Sequence, residues 1–268
     1  MEGKSVKPRL SIRRIALPAE HGSWGILLEP LIASLAVAPS SAGFLIAIGV
    51  AGAFLMRQPL RVFATGVSSG TSSPNNRPAA YFCLFFGLVG AAGFSGAAFI
   101  ASAEDLLPLL ALVPFGIYQV FNDVSRKSRE LLPELAGAAA LSASAPSIAL
   151  AAGWGPSRAA ALWVLFVARS IPSFVYVRQR LRLEKGKDFV KAPPVMLHGA
   201  ALALSAGLAV LGLTPYLPIA VYAFLFWRAV TGLSDGRTRL KAVQLGIRET
   251  AYGGLLALSI ILGHYLGL

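Results

Sequence analysis

The chain is poor in the residues that soluble enzymes rely on. Its 268 residues include 12 acids, three histidines and one cysteine, and only 13% are charged. A soluble domain carries roughly 25% charged residues, so the deficit points to lipid as the solvent. The lone Cys83 excludes an intramolecular disulfide, and its place in an apolar run reads as packing. His21, His198 and His264 lie far apart in the sequence, the last two near opposite membrane faces, which excludes a common metal site for all three. There is no P-loop and no HExxH.

What the chain does have is apolar length. Hydrophobic residues make up 56% of it, with 27 glycines that permit close helix approach. Nine apolar segments, at about 22–38, 41–56, 79–101, 106–121, 132–153, 159–176, 195–213, 215–231 and 249–267, read as transmembrane helices. The predicted fold class is all-α, a polytopic membrane protein with a basic tail over 1–15 and a single helical domain over 16–268. The run ending in "AVAP" mimics a signal-peptide site, but Glu29, Pro30 and Pro39 argue against cleavage.

Of the 24 lysines and arginines, all but Arg158 fall in alternate loops or at the helix ends beside them. The loops on the opposite side are short and nearly neutral. The positive-inside rule then places the N-terminus in the cytoplasm and the C-terminus outside, in the cytoplasmic membrane. The same distribution removes nucleic acid as a partner for the net charge of +12, because the charges form no stripe on a soluble module. Gly87, Gly90, Gly93 and Gly96 recur every three residues, and Gly263 and Gly267 form a GxxxG; both read as packing within the bundle.

Four polar clusters are candidates for chemistry, because an ionisable group inside a span costs about 2.5–3.5 kcal/mol on insertion scales. In "LPAEHGSWGILLEP", Glu20 and His21 form an acid–base pair or a helix cap, and Glu29, deeper in the span, should face protein or a water-filled cavity. In "RQPLR", Arg57 and Arg61 share a helical face at the membrane surface. With Arg77 they offer planar donors for a phosphate or carboxylate, or they snorkel and orient the chain. Tyr118, Asn122 and Asp123 end the fourth span, where they serve as a cap or as part of a site. In "ARSIPSFVYVRQRLRLEKGKD", Pro172 should kink or end the sixth span, and Arg178 and Arg182 share a face. That patch suits a lipid headgroup or a substrate phosphate.

The motifs "PAEHGSW", "RQPLR" and "RSIPSFVYVRQRLR", in this order, resemble the YwiC-like family of bacterial membrane proteins. That resemblance implies no settled activity. A more distant resemblance is to the UbiA superfamily of intramembrane prenyltransferases, which have nine helices, an internal N-terminus and functional loops after helices two, four and six. The polar clusters here fall in those places. Asn76, Arg77 and Pro78 resemble that superfamily's RPL segment, Tyr118 the tyrosine of its YxxxK pattern, and "LPELAG" at 132–137 its following stretch. The departures are specific. The superfamily's two aspartate-rich motifs, which hold Mg²⁺ against a prenyl diphosphate, are replaced by "RQPLRVFATGVSSG" and "SIPSFVYVRQR", and the YxxxK lysine is Asn122.

The resemblance therefore implies a UbiA-like bundle without the usual Mg²⁺ chemistry, and no cofactor follows from the residues. The leading expectation is an arginine-lined cavity facing the cytoplasm. It would bind an amphiphilic anion, such as an isoprenoid diphosphate, through Arg57, Arg61, Arg77, Arg178 and Arg182, with Glu20, His21 and Tyr118 lining its mouth and Asn122 and Asp123 as further binding candidates. The competing readings are a divergent prenyltransferase using arginines for electrostatic stabilisation, a small-anion transporter and a non-catalytic assembly factor.

Overall fold

The computed structural model describes residues 10–18, 21–68, 73–125 and 130–268, with the side chain of His21 also outside the description. Among these residues every regular element is helical: α1 (Ile12–Ala16), α2 (His21–Val37), α3 (Ser41–Ser68), α4 (Asn76–Ile100), α5 (Ala103–Val124), α6 (Leu131–Ser142), α7 (Ser144–Ala151), α8 (Pro156–Glu184), α9 (Ala192–Val210), α10 (Leu217–Gly232) and α11 (Ala242–Leu266). Each of the nine expected spans is occupied, the fifth by α6 and α7 in succession. Seven of these stretches are long and apolar enough to cross a membrane, and α2 and α10 are shorter apolar helices. At about 1.5 Å per residue, α10 extends only about 24 Å, so it needs its neighbours or a thinned bilayer to cross. The outward faces are apolar: Phe99, Tyr81, Met196 and Val210 are all at least 71% exposed, as a lipid-facing surface requires.

Local chemistry sets the helix ends. Ser102 and Asp105 form a reciprocal capping box that starts α5, and prolines sit in the first turns of α8, α9 and α10. Gly267 closes α11 in the left-handed region at φ 69°, so it caps that helix rather than extending a GxxxG packing face. Pro172 does not end its helix: α8 runs on for twelve residues beyond it. In the same way α3 continues through Pro59 to Ser68, placing Arg57 and Arg61 on a helix. The glycine stripe of α4 meets the glycines of α3 backbone to backbone, and a Cβ on Gly52 would stand 2.5 Å from Gly90 N.

Two apolar cores share α2 and α7. One joins them to α8, α9, α10 and α11 through Phe166, Tyr222, Leu256 and Ile260. The other joins them to α3 through Leu27, Ile46, Val50 and Ile148. The bundle ends differ sharply. At one, Tyr265 Oη donates to Ala36 O (2.6 Å) and the rings of Trp154 and His264 stack. The other collects the arginines. The chain docks there ahead of the expected boundary at residue 16: Ile15 is buried, Leu10 N donates to Asn75 Oδ1 (2.9 Å), and Gln58 Nε2 donates to Arg14 O (2.9 Å).

Candidate functional site

At the basic end, α2, α3, α5, α6, α8 and α11 enclose a cavity of about 180 Å³. Arg57 and Arg61, one turn apart on α3, face it together with Arg169 and Ser173 of α8. Three carboxylates face the same space: Asp123 from the last turn of α5, Glu134 from the first turn of α6, and Glu249 of α11. Each is held by an arginine. Arg57 Nε lies 2.6 Å from Asp123 Oδ2, Arg178 Nη2 donates to Glu134 Oε2 (3.0 Å), and Glu249 pairs with Arg228. Arg61 makes no ion pair among the described residues and is exposed at the mouth.

The expected arginines therefore separate. Arg57 and Arg61 line the cavity, and Arg178 stands behind Glu134. Arg77, in the first turn of α4, is exposed and does not line it, and exposed Arg182 donates to Asp188 O (2.6 Å). Asp123 lines the space, whereas buried Asn122 donates to the Tyr118 carbonyl at 2.8 Å. Tyr118 borders a different apolar groove, with Phe115 and Leu132. Glu20 lies outside the described residues. His21 opens α2.

Beneath the cavity runs a chain of buried charges that the clustering of motifs leaves unconnected. Arg169 Nη1 pairs with Glu29 Oε1 at 3.2 Å, and both side chains are about 95% buried. A Cβ on Gly253 would run into the Glu29 carboxylate, so the bare backbone of α11 makes its room. Arg169 Nη2 donates to the Glu249 carbonyl, and the Glu249 carboxylate takes Arg228. Arg228 lies over the rings of Tyr176 (4.1 Å) and Tyr252 (5.2 Å) and reaches His198 Nε2 at 3.0 Å. A guanidinium can only donate, so His198 Nε2 accepts and its Nδ1 hydrogen goes to Pro194 O (2.7 Å). Glu29 faces protein, as its sequence position required. The signal for Arg169 and Arg228 was also available: each sits inside an apolar run, "FVARSIP" and "FLFWRAV".

The cavity does not fit Mg²⁺. That ion needs carboxylate charge not already matched by a cation, and each of the three lining carboxylates has one oxygen against an arginine. Among the described residues no group of three His, Cys, Asp or Glu converges as a metal site.

Beside the polar cavity lies an apolar groove of about 810 Å³ between α3, α4, α5 and α6, lined by Met56, Phe94, Leu109, Val113 and Ile117. The two spaces share Phe54, Arg57, Gln119, Gly137 and Leu141 as a common wall. A polar compartment thus abuts a lipid-facing apolar one, with a guanidinium at the junction.

No curated protein and no solved structure matches the chain. A family model described as YwiC-like protein matches residues 17–149, which takes in α2 to α6 and most of α7. Arg57, Arg61, Asp123 and Glu134 fall inside the match, whereas Arg169 and Glu249 come from beyond it. The chain is an integral membrane protein that, over this stretch of just under half its length, is similar to the YwiC-like family.

Proposed function

We propose that the protein binds an amphiphilic anion at its basic end, with the anionic head in the cavity and the tail in the groove between α3–α4 and α5–α6. The observation that carries this reading is the wall shared by the two spaces, where Arg57 faces both. Arg61 offers a planar donor with no acid partner among the described residues. Arg57 joins it by exchanging Asp123 for the ligand, and Arg169 lies at the cavity floor. Arg178 acts through Glu134, and Arg77, Arg182 and Tyr118 do not touch the ligand. An isoprenoid diphosphate has the required chemistry: two phosphates for the arginines and a flexible apolar tail for the groove. The basic end faces the cytoplasm under this reading, as the positive-inside rule places it, and the UbiA-like reading of the bundle supports an isoprenoid rather than a straight acyl chain.

Farnesyl diphosphate binding to the full chain in phosphatidylcholine nanodiscs tests the proposal, beside farnesol and inorganic pyrophosphate as tail and head alone. Saturable binding without Mg²⁺ is expected, weakened about tenfold or more in the Arg57→Ala, Arg61→Ala double variant, since hydrogen bonds from guanidinium to phosphate are of the stronger, charge-assisted class. Equal affinity of the double variant, or of farnesol, overturns it. The buried chain from Glu29 to Arg228 favours a second reading, a transporter of a small anion, because charges inside a bundle line translocation paths. Uptake of labelled pyrophosphate into proteoliposomes separates that reading from binding alone.

A further inference from the structure

The C-terminal half holds a second polar space at the same end, outside the amphiphile cavity. It lies between α8, α10, α11 and the connector 233–241, with a volume of about 430 Å³. Its back wall is Arg228, held between the rings of Tyr176 and Tyr252. Its cover is the connector. Arg180, only 2% exposed, fastens that cover by donating to the carbonyls of Gly232 and Thr238 and pairing with Glu184 at 2.8 Å. Arg237 and Arg248 complete the polar lining.

The charges do not balance in this space. Its arginines are Arg180, Arg228, Arg237 and Arg248. The acids at hand are Glu249, taken by Arg228, Glu184, taken by Arg180 with Arg237 more distantly at 3.8 Å, and exposed Asp235 of the connector, which does not line the space, so four arginines meet three acids. Arg248 makes no ion pair among the described residues. The Nε atoms of Arg228 and Arg237 are buried and donate no hydrogen bond. A buried N–H without a hydrogen bond is costly; that of Arg237 has Glu184 Oε1 at 3.8 Å, so Arg228 is the donor that calls for an acceptor.

The position of the space bears on the source of that acceptor. Arg228 is four residues from the end of α10, about 6 Å along the axis, which is headgroup depth for a helix ending at the interface. Trp227 and Phe224 of the same helix also line the space and are exposed, as aromatic side chains are at the boundary between tails and headgroups.

We propose that this space is a second anion site, specific for a phosphate group whose negative charge is not offset by a neighbouring cation, in which Arg237 and Arg248 make the entry contacts and Arg228 the inner one. Both an anionic phospholipid and free phosphate carry that chemistry. The lipid supplies acyl chains to lie against Trp227 and Phe224 as well. The site is independent of the amphiphile cavity, although Glu249 borders both, so the test leaves Glu249 unchanged.

Native mass spectrometry of the detergent-purified full chain reads the binding of dioctanoyl phosphatidylglycerol and dioctanoyl phosphatidylcholine, with and without millimolar inorganic phosphate. We expect phosphatidylglycerol to bind at least about tenfold more tightly than phosphatidylcholine, and R237Q/R248Q to remove about tenfold of that affinity, since two charge-assisted hydrogen bonds go with the guanidinium groups. The single variant R248Q, at an exposed position, guards against a folding defect in the double and should lose a smaller part. R57A/R61A should bind phosphatidylglycerol as the wild type does. Displacement by inorganic phosphate assigns the site to free phosphate, and retention assigns it to the lipid. Equal binding of the two lipids, wild-type affinity in both R248Q and R237Q/R248Q, or loss in R57A/R61A overturns the proposal.

Discussion

Two ion pairs on α8, about two and a half turns apart, look alike by bond length and differ in almost everything else. Arg178 meets Glu134 at 3.0 Å near the bundle end, with about a third of each side chain exposed. Arg169 meets Glu29 at 3.2 Å inside the bundle, where each side chain is about 95% buried. Water solvates the first pair whether or not it forms, so its net value is small. The second pair has given up its solvation, and each partner is now the other's solvent. The difference shows why charge count alone misjudges this chain: Arg169 and Arg178 belong to one basic segment, and only burial separates what they do.

The sharpest way to break the comparison is to remove one partner of the buried pair. Glu29→Ala should destabilise the bundle by about 3–5 kcal/mol, because Arg169 is left charged without its carboxylate. Arg169→Ala should cost a similar amount, and it also strips the Glu249 carbonyl of its donor. Thermal unfolding in a fixed detergent measures both. The double replacement Glu29→Leu with Arg169→Met removes both charges and should recover most of the loss. A double variant no better than either single would mean that the pair does more than neutralise itself.

A second break lies where α3 and α4 touch. Gly52→Val forces a side chain against the Gly90 backbone, which has no side chain to yield. Overpacking of this kind costs about 1–3 kcal/mol, so the expected loss is smaller than that from the buried charge but clear by the same thermal measurement. Gly254→Val, whose Cβ would meet nothing within 4 Å, is the matched control.

The apolar helices were legible because lipid offers the backbone no hydrogen bonds, so each crossing must be a helix and each helix must be apolar. Their ends were less so. Apolar runs mark the thickness of the hydrocarbon, and α3 and α8 run past it, through Arg61 and Arg182, to Ser68 and Glu184. Glu29 was legible because a carboxylate in an apolar run must be answered. Its answer was not, since Arg169 is brought to it by helices distant in sequence, and only tertiary packing sets that pairing. Tyr118 illustrates the same limit at shorter range. Its chain position put it near the site, but the rotation of α5 turns it to the Phe115 and Leu132 groove while sending Asp123 to Arg57.

The smallest expected effect tests the other half of the comparison. Arg178→Ala removes the pair with Glu134 that closes the cavity wall between α6 and α8. With both side chains partly hydrated, the cost should be within about 0–1 kcal/mol. The effect should shrink further as salt rises, whereas that of Glu29→Ala should hardly change, because screening reaches exposed charges and not buried ones. Unfolding of the two variants at low and high ionic strength measures both slopes. A large, salt-independent loss in Arg178→Ala would place Glu134 with the interior charges, making the cavity wall part of the same buried network as Glu29.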